Sequence, residues 1–133
     1  MKHRRATRTL LTALGLLFAT ALSGQKVERR GQAWLDARTE PAAISVSGVW
    51  HAGQWGLVTL KQAEGSRELT GAGDGWDIVG VVSATKVCLL FLTKGSVAYS
   101  AELTPDGPDA LGGRYADGLL TERSRTRLMH FTK

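Results

Sequence analysis

Val97-Ala98-Tyr99-Ser100-Ala101-Glu102-Leu103-Thr104 decides the fold class. Val97, Tyr99, Ala101 and Leu103 alternate with Ala98, Ser100, Glu102 and Thr104. A period of two sends successive side chains to opposite faces of a strand. Just upstream, Val87-Cys88-Leu89-Leu90-Phe91-Leu92 is apolar without alternation. Such a run fits a strand buried on both faces, either at the centre of a sheet or beneath a partner. Lys94-Gly95-Ser96 lies between the two stretches and supplies a tight turn. The segment therefore reads as a β-hairpin.

The same pattern extends outward in both directions. Turn signals recur at Ala52-Gly53, Glu64-Gly65-Ser66, Gly73-Asp74-Gly75, Pro105-Asp106-Gly107 and Asp117-Gly118. Between them, 45–50, 55–62, 67–71, 76–84, 86–93, 97–104, 110–116 and 122–132 are the predicted strands. The weakest turn is Ser83-Ala84-Thr85-Lys86, which leaves open whether strands four and five form one bent ribbon. Turns about 8–12 residues apart mark an antiparallel all-β architecture. Eight consecutive strands close most economically as an up-and-down barrel, since closure removes bare edges. The predicted fold is thus a small eight-stranded antiparallel barrel or meander over 44–133. Strands this short favour a filled interior or a shallow cup over a deep pocket.

The N-terminus has a different character. Lys2, Arg4, Arg5 and Arg8 precede an uncharged run from Thr9 to Leu22. That run is too short to span about 30 Å of hydrocarbon as a helix, and the arrangement is that of a secretory signal peptide. Residues 1–23 are assigned to it, with cleavage expected after Ala21 or Ser23. Gln25 stands where a lipobox would need Cys, so lipidation is not expected. The charged stretch 24–43 reads as a spacer, with at most a short helical turn around 32–38. The whole chain has 17 Lys and Arg against 12 Asp and Glu. All four basic residues of 1–23 leave with the signal, so the net charge falls from +5 to +1. A near-neutral mature chain offers no general footing for nucleic acid. The expected product is exported, periplasmic or secreted, and not membrane-spanning after signal removal.

Gly48-Val49-Trp50 opens the first predicted strand, and Leu69-Thr70-Gly71 follows in the third. These residues resemble the Gly-x-Trp signature of lipocalins and the opening of avidin-like domains, both calycins. The resemblance implies a barrel that binds a small molecule, with Trp50 closing one end. It further implies a basic residue of the last strand packed across that Trp, here Arg125 or Arg127. No ligand-contact set of the group maps onto this chain residue by residue. The candidate ligand-binding residues are Trp50, Trp55, Trp76, Tyr99, Tyr115, Arg125 and Arg127.

Motifs for catalysis are missing: there is no His-Glu-x-x-His, Gly-x-Ser-x-Gly or phosphate-binding Gly-x-x-x-x-Gly-Lys. Gly71-Ala-Gly-Asp-Gly75 reads as a hairpin loop, and Asp74 and Asp77 as a turn and a strand end rather than a calcium site. His51 and His130 are too few for most zinc sites, although barrel closure would bring their strands together. No metal and no cofactor is expected. Cys88 reads as a buried, inert thiol, with pairing between subunits as the alternative. Arg123, Arg125 and Arg127, at period two, are expected to share one strand face, either as an anion site or as protection against edge aggregation. The leading expectation is an exported, non-enzymatic barrel binding a small apolar or amphipathic ligand. The alternative is an envelope protein–protein interaction module, such as an assembly factor or an inhibitor of a secreted hydrolase. The doubly apolar 87–92 strand, if it needs covering, is what favours that alternative.

Overall fold

The computed structural model describes residues 27–133, and the expected signal peptide lies outside them. Alternation and turn chemistry yield β1 (Gly48–His51), β2 (Leu57–Gln62), β3 (Glu68–Gly73), β4 (Trp76–Ser83), β5 (Lys86–Thr93), β6 (Ser96–Pro105), β7 (Ala110–Asp117) and β8 (Arg127–Thr132). Each pairs antiparallel with its sequence neighbour, and β1 returns to β8 through His51 opposite Thr132. The result is a closed eight-stranded all-β barrel. Strands four and five are separate, joined by Ala84-Thr85, with Ser83 opposite Lys86. The glycine run extends β3 to Gly73, so only Asp74 and Gly75 remain in the turn.

The inward set follows the predicted parity except at Val97. The β5–β6 register shifts between Phe91 and Leu92, which turns Val97 outward into the apolar cluster on the outer face of β5, while Tyr99, Ala101 and Leu103 stay inside. Val87, Leu89 and Phe91 join Ile78, Ala101, Leu103, Leu111 and Phe131 in the barrel core. Gly80 sits where a Cβ would collide with the Cys88 carbonyl and the Leu89 side chain. Its bare backbone lets β4 and β5 close in on each other at that point.

The outward set of β5 is buried as well, and its cover belongs to the same chain. Helix α1 (Arg29–Asp36) lies in the stretch read as a spacer. Gly31 and Leu35, four residues apart, share one helix face, and Val27, just before the helix, packs beside Gly31. Leu35 joins Cys88, Leu90, Leu92, Val79 and Val81 in a second apolar cluster, with Val27 and Trp34 packed against it. A Cβ on Gly31 would stand 2.9 Å from the Val97 side chain and 3.2 Å from that of Leu90, so glycine sets how closely the helix approaches. At one end the Glu28 carboxylate accepts from Val97 N at 2.8 Å, and Glu28 N donates to Gly95 O. At the other end Ala43 N donates to Ala84 O, and Ala84 N to Pro41 O. The segment is thus a strap running from the β5–β6 turn to the β4–β5 turn. It covers the outer face of 87–92 from within the same chain, so the doubly apolar run needs no partner to bury it.

The last strand is shorter than expected. It begins at Arg127, so Arg123 and Arg125 lie in the preceding loop and form no stripe with Arg127. Hydroxyls claim that backbone first. Thr121 N donates to Ser124 Oγ at 2.8 Å, and Ser124 N to Thr121 O at 3.1 Å. Local bonds of this kind compete with a ladder. The first strand likewise starts late, because Val46 and Ser47 bond to Gln62 rather than entering the β1–β2 ladder alone.

Candidate binding site

The two ends of the barrel are closed by different tryptophans. One end gathers the β1–β2, β3–β4, β5–β6 and β7–β8 connections. Here the five-residue loop 52–56 folds a 3-10 turn (Gly53–Trp55) and carries Trp55 over the opening. Tyr99 lies 4.8 Å from the Trp55 ring between centroids, Phe91 and Tyr115 5.2 Å, and Trp76 6.0 Å. Edge-to-face contacts dominate, the geometry that the ring quadrupole favours. Trp76, Phe91, Tyr99 and Tyr115 come from β4, β5, β6 and β7, so four neighbouring strands form a cup and Trp55 enters it from the opposite wall. Phe91 is fully buried and Tyr115 nearly so, while Trp55, Trp76 and Tyr99 are half-buried.

The rim is polar. Gln54 Nε2 donates to the Tyr115 hydroxyl at 3.1 Å, which ties the loop to β7. Arg127 pairs with Asp117 at 2.9 Å and lies 4.8 Å from the Tyr115 ring centroid. By register Arg127 stands opposite Tyr115, and Asp117 opposite Tyr99. Both charges therefore take the inward parity of their strands and edge the mouth.

The expected residues divide accordingly. Trp55, Trp76, Tyr99, Tyr115 and Arg127 meet at this mouth. Trp50 belongs to the other end, and Arg125 is an exposed loop residue. Phe91 and Gln54 belong to the mouth but were not singled out in the sequence. The unalternating run 87–92 does not say which of its residues face inward; the pairing of Phe91 opposite Tyr99 does. Gln54 carried no signal beyond its place in the loop.

Trp50 is buried, with its indole Nε1 donating to Val46 O at 3.0 Å. The cation across its ring is Lys133 at 5.0 Å, in place of the expected Arg125 or Arg127. Strand shear explains the substitution: His51 pairs with Thr132, so the end of β8, not its start, reaches Trp50.

The remaining candidates sort themselves by contact. Cys88 lies under the strap, with Arg38 Nε donating to its sulfur at 3.4 Å. Burial pushes the thiol up from its ordinary value, against the opposing pull of that hydrogen bond and of the Arg38 charge. Such a thiol stays neutral and weakly nucleophilic at pH 7. Arg38 also pairs with Glu102 at 3.0 Å and sits over the Trp34 ring at 4.4 Å. His130 faces Asp106 at 3.4 Å, both largely exposed. Among the described residues no group of three His, Cys, Asp or Glu side chains is placed to hold a metal. No helix among them is long and apolar enough to cross a membrane.

No family model matches the chain, and no curated protein or solved structure shows a significant match to it.

Proposed function

We propose that the protein is an exported, non-enzymatic barrel that binds a small apolar or amphipathic molecule at its aromatic mouth. On this reading residues 1–23 are removed after Ala21 or Ser23, and the mature chain works in the periplasm or outside the cell. The observation that carries the binding site is the convergence of Trp55, Trp76, Phe91, Tyr99 and Tyr115 at one end, with Arg127 and Asp117 at its edge. Apolar walls with a few placed polar groups are the usual make-up of a small-molecule site. Kinship with the calycins is part of the proposal. Its support is the closed eight-stranded topology and the Gly48-x-Trp50 strand with a C-terminal cation over the indole. The test is a titration of the mature protein with fatty acids, sterols and aromatic amphiphiles, read by tryptophan fluorescence. Saturable change with at least one class is expected, and its absence across all three overturns the proposal.

A second reading, an envelope interaction module, keeps one specific observation. Leu128 is 90% exposed, and Val49 and Leu57 are more than half exposed. They lie on the outer faces of β8, β1 and β2, the side that the strap leaves bare. If this face docks a protein, Leu128→Asp abolishes co-purification of that protein from envelope extracts while leaving small-molecule titrations unchanged. Retention of the same partner by the variant excludes the reading.

A further inference from the structure

We infer that the Trp55 indole occupies the ligand position of the mouth, and that the natural ligand is a planar aromatic molecule that takes its place. This inference rests on the proposed binding function and gives it a ligand class.

The first observation is the direction from which Trp55 arrives. Trp76, Phe91, Tyr99 and Tyr115 stand on four consecutive strands, and each also meets another ring of the set: Trp76 lies 5.4 Å from Tyr99 and 6.3 Å from Phe91, and Tyr99 lies 6.0 Å from Tyr115. These four form a wall without Trp55. Trp55 comes from the β1–β2 loop and touches all four. The space it fills is a slot lined by ring edges and faces. That shape matches a flat bicyclic group better than a flexible alkyl chain, because edge-to-face contact needs a π face to receive it.

The second observation is how the loop is held. Gly53 and Gly56 flank the Gln54-Trp55 pair with φ of 60° and 73°. No atom lies within 4 Å of where a Cβ would stand on either glycine. The two ends of the loop thus have conformational freedom and open space around them. Ala52 N donates to Gly56 O at 2.8 Å, closing the loop at its base. Gln54 to the Tyr115 hydroxyl ties its tip across the mouth. Releasing that bond together with the two short bonds of the 3-10 turn, Trp55 N to Ala52 O at 3.1 Å and Gly56 N to Gly53 O at 3.0 Å, lets the loop turn about its glycines and swing Trp55 out while the β1–β2 ladder stays paired.

The contrast with Trp50 is direct. Its indole N–H is bonded to Val46 O and its residue is buried, so it is fixed in the wall. An incoming ring at the mouth exchanges one set of aromatic contacts for another. Wild-type affinity is therefore lowered by the fraction of molecules in which Trp55 is in place.

Two measurements test the inference. In the wild-type mature protein, naphthalene-2-sulfonate and octane-1-sulfonate carry the same head group on a flat and a linear body. The indole N–H resonances of the four tryptophans are followed by NMR, with assignments from single Trp→Phe variants. The flat probe is expected to bind at least tenfold tighter and to move the Trp55 resonance toward its solvent-exposed position, leaving Trp50 in place. In Trp55→Gly, indole alone is expected to bind and raise the melting temperature, with no such effect on the wild type. Equal or tighter binding of octane-1-sulfonate with the Trp55 resonance unmoved overturns the inference and leaves the binding function standing. No binding of either sulfonate to the wild type, nor of any amphiphile in the fluorescence titration, overturns both. The wild-type measurement decides the matter even if Trp55→Gly fails to fold.

Discussion

Trp50 and Trp55 stand five residues apart and close opposite ends of one barrel by different means. Around Trp50 the closure is tied to backbone. Its indole donates to Val46 O. Beneath the same end the Gln62 amide accepts from Val46 N at 3.0 Å and donates to Ile44 O and Ser66 O at 3.0 and 2.9 Å. Around Trp55 the closure is ring on ring, and the loop that carries it is tethered through one side-chain bond from Gln54. A directional bond to buried backbone costs its full desolvation when broken. An aromatic contact can be replaced by another ring at little loss. One end is therefore built to stay shut, and the other has the make-up of an exchangeable lid.

Truncating each tryptophan probes this difference most strongly. Trp50→Ala removes a buried indole, leaves a cavity and frees the Val46 carbonyl, so it is expected to destabilise by about 3–5 kcal/mol. Trp55→Ala is expected to cost less than half as much, because its ring is only half-buried and its loop can relax. Urea unfolding of both variants, followed by circular dichroism, measures the gap. Equal losses would make Trp55 a structural plug like Trp50 and erase the distinction between the ends.

Much of this was legible in the residues. Asp74-Gly75 and Lys94-Gly95 placed tight hairpins correctly, because local backbone chemistry dictates them, whereas Asp117-Gly118 opens a longer connection to β8. Within 97–104 the alternation of Tyr99, Ala101 and Leu103 carries the inward parity that assigns Tyr99 to the mouth, while Val97 departs from it because the β5–β6 register shifts at Phe91/Leu92. The strap was harder to see. Gly31 and Leu35, with Val27 just before the helix, form a stripe only if glycine counts as an apolar contact, which it does where a helix must approach a sheet closely. The doubly apolar strand β5 was a demand for cover, and nothing in its own sequence says whether that cover comes in cis or in trans. The cation over Trp50 was misplaced for a related reason. Barrel shear decides which residue of β8 reaches β1, and shear depends on the register of all eight strands together. The aromatic mouth was legible residue by residue, but its assembly was not. The sequence reads Trp55 as the start of a strand over 55–62, whereas it lies in the turn before β2, and only the fold of that loop carries it across the opening.

The two glutamines sharpen the comparison at an intermediate scale. Gln62→Ala leaves Val46 N, Ile44 O and Ser66 O without their side-chain partners in a half-buried setting. The expected loss is about 1–3 kcal/mol. Gln54→Ala removes one bond at an exposed loop tip and is expected to cost roughly 0.5–1 kcal/mol at most, with faster amide hydrogen exchange confined to 52–56. Exchange that instead accelerates along β1 and β2 would show that the loop is integral to the barrel and not a separable lid.

The cations over the two rings should give the smallest effects, and their order still follows from the geometry. Lys133 lies over Trp50, and its ammonium also reaches Ser47 O at 3.4 Å. Arg127 lies over Tyr115 but shares its charge with Asp117, and both of those side chains are more than half exposed. Exposed ion pairs contribute little once screening and side-chain entropy are counted. Lys133→Gln is therefore expected to lower stability by about 0.5 kcal/mol, at the low end of cation–π contacts. Arg127→Gln should fall below detection in unfolding experiments. Its consequence belongs to the mouth: removing the guanidinium should weaken anionic amphiphiles relative to neutral ones, and raised salt should shrink that difference in the wild type. If Arg127→Gln destabilises more than Lys133→Gln, the rim ion pair holds the lid end together, and the mouth is closed by charge as well as by rings.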